Sequence, residues 1–146
     1  MAQDDSLADL EVFVGEWSMA ASPPGGPPWP GEGRVTFEWM EGGGFLVERW
    51  TVEMPEAPNG VALIGTGDSP GSYRQHYFDS RGVHRVYEMS LEGGTWKLWR
   101  DEPDFFPQRF TGTISEEGKT IAGRWEIAED RENFETDFDL TYTRIE

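Results

Sequence analysis

The chain has 146 residues, with 28 acidic side chains against 12 basic ones and a formal net charge of −16. That balance argues against nucleic acid or an anionic membrane as a partner, since both are polyanions. The absence of cysteine removes disulfides, thiolate chemistry and cysteine-held metals. The length suits a single domain, 1–146, and the 14% aromatic content suits a core built from sheet. The start, Met1 to Asp5, is acidic where a signal peptide needs a basic and then an apolar region, and no apolar run approaches membrane-spanning length. The expectation is a cytoplasmic protein.

Ser6 to Val14 reads as one short helix, with Ser6 as its cap, Asp9 three residues on, and Leu7, Leu10 and Phe13 or Val14 near one face. Gly15 is placed to stop it. A first strand runs from about Glu16 to Ala21 and ends in Ser22 to Gly31, where prolines and glycines forbid regular structure. Trp29 lies within that segment, and an indole usually buries, so the segment is expected to fold over as a lid. Strands follow at Arg34 to Trp39, Phe45 to Glu53, Val61 to Gly65, Tyr73 to Phe78, Val83 to Met89, Thr95 to Arg100, Gln108 to Ile114, Thr120 to Ala128 and Asn133 to Ile145. Asp79-Ser80-Arg81-Gly82 has the residues of a type I turn with a glycine bulge. The whole predicts an all-β, about ten-stranded antiparallel up-and-down barrel with one short N-terminal helix.

If the strands alternate in direction, the turns at 41–44, 67–71, 91–94 and 115–119 share one end with the helix. The connections at 22–32, 54–60, 79–82, 101–107 and 129–132 share the other. That second end gathers Trp29, Phe105 and Phe106, an open mouth with aromatic lips.

Gly15-Glu16-Trp17 after the helix, the strand series and a lone Arg144 in the last strand are similar to the calycin-type barrels, the lipocalins and fatty-acid-binding proteins. In such a barrel Arg144 would lay its guanidinium over the Trp17 indole and close one end. Segments such as Tyr77 to Val83 and Gly123 to Glu126 most resemble a bacterial group of single-domain lipocalin-like proteins with no settled activity. The resemblance implies small-molecule binding in the lumen. A nitrobindin-type haem barrel also resembles the chain in size and start motif, and it implies a histidine ligand late in the sequence. The only histidines are His76 and His84, on the middle strands, so haem is disfavoured and no cofactor is expected.

The Asp79–Gly82 turn sets a register in which Tyr77 faces Arg85, Gln75 faces Tyr87 and Tyr73 faces Met89. Phe78–His84, His76–Val86 and Arg74–Glu88 lie on the other side. The Arg74–Glu88 charge pair suits solvent, so the tyrosine-rich face points inward. By the same alternation Leu46, Glu48, Trp50 and Val52 point in, as do Val35, Phe37, Trp39, Trp96, Leu98, Arg100, Phe110, Gly112, Ile114, Ile121, Gly123, Trp125 and Ile127. Phe134, Thr136, Phe138, Leu140, Tyr142 and Arg144 form the inner row of the last strand. The candidate ligand-binding residues are therefore Glu48, Gln75, Tyr77, Arg85, Tyr87, Arg100 and Trp125 in the lumen and Trp29, Phe105 and Phe106 at the mouth. Arg85 and Arg100 would hold an anionic head group with Tyr77 and Tyr87. Alternatively Glu48 neutralises one arginine and tyrosine hydroxyls satisfy the rest.

Other chemistry is scarce. Gly65 to Gly71 lacks the Lys-Ser/Thr pair of a phosphate loop. His76 and His84 point outward, and Asp130, Glu132, Glu135, Asp137 and Asp139 lack calcium-loop spacing, so no metal site is expected. The function that follows is binding of a small hydrophobic or amphipathic, in one version anionic, molecule. The alternatives are a lumen enzyme of isomerase or cyclase type, using Tyr77, Tyr87, Arg85 or Glu48, and an interaction protein with a filled barrel. The oligomeric state stays open.

Overall fold

The computed structural model describes residues 5–29, 33–53, 58–69, 71–103 and 105–145. A nine-residue 3-10 helix, Asp5–Phe13, precedes ten strands: β1 (Gly15–Ser22), β2 (Gly33–Trp39), β3 (Leu46–Val52), β4 (Gly60–Thr66), β5 (Ser72–Asp79), β6 (His84–Glu92), β7 (Thr95–Arg100), β8 (Gln108–Ile114), β9 (Thr120–Ile127) and β10 (Glu135–Arg144). The expected Ser6 cap lies outside the described side chains. Each strand pairs antiparallel with its neighbours in sequence, and β1 pairs β10, so the sheet closes on itself without an edge.

The inward and outward sets follow the period-2 pattern. On β5 and β6 the opposed pairs are Tyr77–Arg85, Gln75–Tyr87 and Tyr73–Met89 inside, with Arg74–Glu88 and Phe78–His84 outside. Asp79 fixes this hairpin. Its amide donates to Val83 O at 3.0 Å, its carboxylate accepts from Arg81 N at 2.9 Å, and it pairs with the Arg81 guanidinium at 2.6 Å. Those donors hold the Asp79 carboxyl well below the usual range.

The alternation fails at one place. A β-bulge between Thr136 and Phe138 sets Thr136 opposite Glu126 and Phe138 opposite Trp125. Residues before the bulge change faces, so Thr136 and Phe134, expected inside, lie outside. Phe134 there stacks under the Arg109 guanidinium at 4.0 Å, and Arg109 pairs with Glu126 at 2.7 Å.

The helix end is packed solid. Phe13 stacks on Phe37 at 5.2 Å and tilts against Trp96 at 4.8 Å, with Leu10, Trp17, Leu46, Met89, Phe110 and Ile121 also buried. Phe110 fits because Gly112 and Gly123 oppose one another across β8 and β9; a Cβ at Gly123 would come within 2.5 Å of its ring. The register sets Trp17 opposite Arg144, whose guanidinium lies 4.2 Å from the indole centroid. The same guanidinium donates to Val14 O at 2.7 Å, Val12 O at 2.6 Å and Gly118 O at 3.0 Å. Trp17 Nε1 donates to Phe13 O at 2.9 Å. Carbonyls that the end of a helix leaves without intrahelical partners are thus answered by one cation and one indole. Gly15, at φ 134°, has no side chain because a Cβ would meet Arg144 Nη1 at 2.5 Å.

Candidate functional site

Above this floor the lumen holds a cavity of about 320 Å³. Its rings come from alternate positions on many strands: Trp50 and Tyr77 stacked at 5.3 Å, Trp125 against Phe110 at 5.2 Å, and Trp96, Phe138 and Tyr142. Met19, Ala21, Leu98 and Leu140 complete the apolar wall. Trp29 closes part of the mouth. Its amide donates to Ala21 O at 2.9 Å, its ring lies 6.2 Å from Phe138, and 41% of the residue remains exposed. The described part of the Pro-rich segment, up to Trp29, is therefore folded over the rim, as the indole within it predicts.

The polar groups on the wall are few. Glu48 on β3 sits between Phe37 on β2 and Ala62 on β4 and is 7% exposed. Among the described residues none hydrogen-bonds or ion-pairs with its carboxyl. Burial pushes that carboxyl up to about 8, so it is protonated at neutral pH. Tyr142 is raised well above its ordinary value by burial first and by Glu48 second, which marks the two as neighbours. Gln75 Oε1 and Trp96 Nε1 are buried on the same wall without partners. A native interior normally satisfies such groups. Here an acid, an amide oxygen, an indole N–H and a phenol share one cavity.

The other candidate residues are placed differently. Tyr77 contributes its ring to the cavity, but its hydroxyl donates to Asp79 at 2.6 Å, and burial raises it strongly. Tyr87 donates to Gln108 Oε1 at 3.2 Å, and Arg85 reaches the same oxygen at 3.5 Å while lying 4.5 Å from the Phe105 ring. Arg100 is buried and engaged. Neither arginine, nor Tyr87, Phe105 or Phe106, forms part of the cavity wall. Phe105 instead covers the Arg85–Tyr87–Gln108 corner, and its loop is tied down by Arg131, which donates to Phe105 O at 2.9 Å and Glu102 O at 3.0 Å. Of the two ways of satisfying the inner arginines weighed from sequence, a Glu48–arginine pair is not formed.

Glu48, Gln75, Tyr77, Trp125 and Trp29 are thus brought together around one space, and the remaining five candidates are not. Trp96, Trp50, Phe138 and Tyr142 are inward by alternation but were not singled out from sequence. What separates them from floor residues is height along the barrel, which periodicity does not encode. Met19 and Pro58 had no sequence signal.

His76 and His84 stand on the outer wall, their rings stacked 6.1 Å apart and His84 stacked on Phe78 at 4.7 Å. Neither imidazole reaches the lumen. Asp130 accepts from Glu132 N, Asn133 N and Asn133 Nδ2 at 2.9, 2.7 and 2.8 Å, and these bonds lower it to about 2. It shapes a turn. No group of three or more His, Asp or Glu side chains converges among the described residues. Among them, too, no helix is long and apolar enough to cross a membrane.

No protein-family model matches the chain, and no curated protein matches it in sequence. Among solved structures, the crystal structure of Rv2717c from M. tuberculosis is similar, with a TM-score of 0.66 at 13% identity over 97% of this chain and 98% of that one. The likeness is one of fold and extends over nearly the full length of both chains.

Proposed function

We propose that the protein is a lipocalin-like binding barrel that takes up a small hydrophobic molecule with a polar end. The observation that carries this reading is the cavity of about 320 Å³, walled by aromatic rings, with buried hydrogen-bonding groups left open on it. Pockets of this kind hold small ligands by apolar contact and orient them by a few polar atoms. An interaction protein with a filled barrel would have no reason to leave that space. The reading has no role for a haem held by histidine, since both imidazoles are on the outer wall.

Titration with the neutral apolar dye N-phenyl-1-naphthylamine tests it, because four tryptophans line the space. Saturable one-to-one quenching of tryptophan fluorescence is expected, and Ala21→Phe, which fills the mouth from β1, should weaken it at least about tenfold. No saturable binding by the folded wild-type protein would refute the reading.

One feature favours a second, catalytic reading: a cavity carboxyl that titrates near 8 suits proton transfer. The hydroxyls of Tyr77 and Tyr87 are already committed to Asp79 and Gln108, so that role would fall to Glu48. Turnover of a bound ligand that is lost in Glu48→Gln with binding retained would establish it.

A further inference from the structure

We propose that the ligand is a hydrophobic amine, seated with its ammonium against the Glu48 carboxylate and its apolar body among the rings. This rests on the binding reading above and adds the sign of the ligand's charge. Three independent features point the same way.

The first is the inventory of inner-face charge. Besides Glu48 on β3, the titratable or charged groups there are Tyr73, Tyr77 and Asp79 on β5, Arg85 and Tyr87 on β6, Arg100 on β7, and Glu135, Tyr142 and Arg144 on β10. Asp79 is paired with Arg81 and Glu135 is exposed, both off the cavity wall, and the inner faces of β1, β2, β4, β8 and β9 add none. Arg144 is in the floor, and Arg85 and Arg100 are off the cavity wall. Among the described residues, the cavity wall therefore carries one acid and no cation. A phenol beside that acid, Tyr142, would add negative charge and no positive charge on ionising.

The second is the wall itself. Trp50, Tyr77, Trp96, Trp125 and Trp29 present ring faces and edges around the space, and indole and phenol faces attract a desolvated ammonium. The third is the formal net charge of −16, which raises the local concentration of cations and repels anions.

Without a guest, Glu48 keeps its proton, since an isolated carboxylate in that position has nothing to offset its desolvation. An alkylamine, like a lysine side chain, arrives protonated at neutral pH. On binding, the Glu48 O–H bond breaks, its proton leaves to solvent, and the carboxylate accepts N–H bonds from the ammonium. Gln75 Oε1, otherwise unpartnered, can accept another. An anionic guest would meet no positive charge among the described residues of the wall.

Calorimetric titration of the full-length protein at pH 7 tests this with three probes sharing one body: 4-phenylbutylamine, 4-phenylbutanol and 4-phenylbutyrate. The amine should bind at least about tenfold tighter than the alcohol, and the carboxylate weakest. Runs in two buffers of different ionisation enthalpy should show the amine releasing close to one proton and the alcohol none. Glu48→Gln should abolish both the amine preference and the proton release. The proton count on wild-type protein needs no variant, so it stands even if that substitution harms folding. Equal amine and alcohol affinities without proton release, or a preference for the carboxylate, would overturn the amine assignment while leaving the binding reading intact. Failure of all three probes to bind would overturn both.

Discussion

The floor and the cavity of this barrel treat polar groups in opposite ways. At the helix end four backbone carbonyls are each met by a side-chain donor, with Arg144 serving Val12, Val14 and Gly118 and Trp17 serving Phe13. At the cavity, Glu48, Gln75 Oε1 and Trp96 Nε1 have no hydrogen-bond partner among the described residues. A complete set of bonds identifies structure, because removing one member leaves the others buried and costly. An incomplete set identifies a place kept for something else. The Arg85–Tyr87–Gln108 corner belongs with the floor in this sense, although its residue types suggest a site.

Breaking the floor should have the largest effect. Arg144→Ala removes the stacked cation and three hydrogen bonds, and should lower stability by about 3–4 kcal/mol in urea unfolding. A loss under about 1 kcal/mol would show that the floor does not depend on its clamp.

Changing the cavity acid should act in the other direction and depend on pH. In the fold Glu48 holds its proton to about pH 8, whereas an unfolded chain releases it near 4.5. Between those values only the unfolded state gains by ionising, so the stability of the wild-type protein falls as pH rises and levels off above the upper value. Glu48→Gln removes that loss. The variant should match wild type near pH 4 and exceed it at pH 8–9 by on the order of 3 kcal/mol. Stability curves that stay parallel across that range would mean the carboxyl is solvated or paired.

Gly123→Ala sharpens the boundary between floor and cavity by pushing a methyl into Phe110, which belongs to both. It should cost roughly 2 kcal/mol by thermal unfolding and also reduce dye uptake. Trp29→Ala should have the smallest effect on stability, under about 1 kcal/mol, since much of the indole is exposed. Its effect should appear as faster dye release in stopped-flow, because the ring covers part of the mouth.

Much of this architecture was legible beforehand. The Asp79–Gly82 turn fixed the β5–β6 register, and the Arg74–Glu88 pair oriented its faces, because a one-residue slip would expose every inner tyrosine. The bulge before Phe138 was not legible. Phe134, Thr136 and Phe138 alternate with acids as cleanly as an unbroken strand, and only the pairing to β9 shows the extra residue. Nor did alternation distinguish an inward arginine at the cavity from one held in a corner. Arg85 and Arg100 obey the inner-face rule, yet neither lines the cavity: Arg85 is held against Gln108 and the Phe105 ring, and Arg100 is buried elsewhere on the inner face. Depth along a barrel depends on strand tilt and stagger, which a one-dimensional pattern does not carry.

The seam between β1 and β10 has a further consequence. The second neighbour of β1 is β10, so a nascent chain whose β10 segment is still in the ribosome carries two bare sheet margins and lacks the Arg144 clamp. Closure of the ring must wait for that segment to emerge. Until then β1 and β9 are the strands on which a chaperone, or a neighbouring nascent chain, would act first.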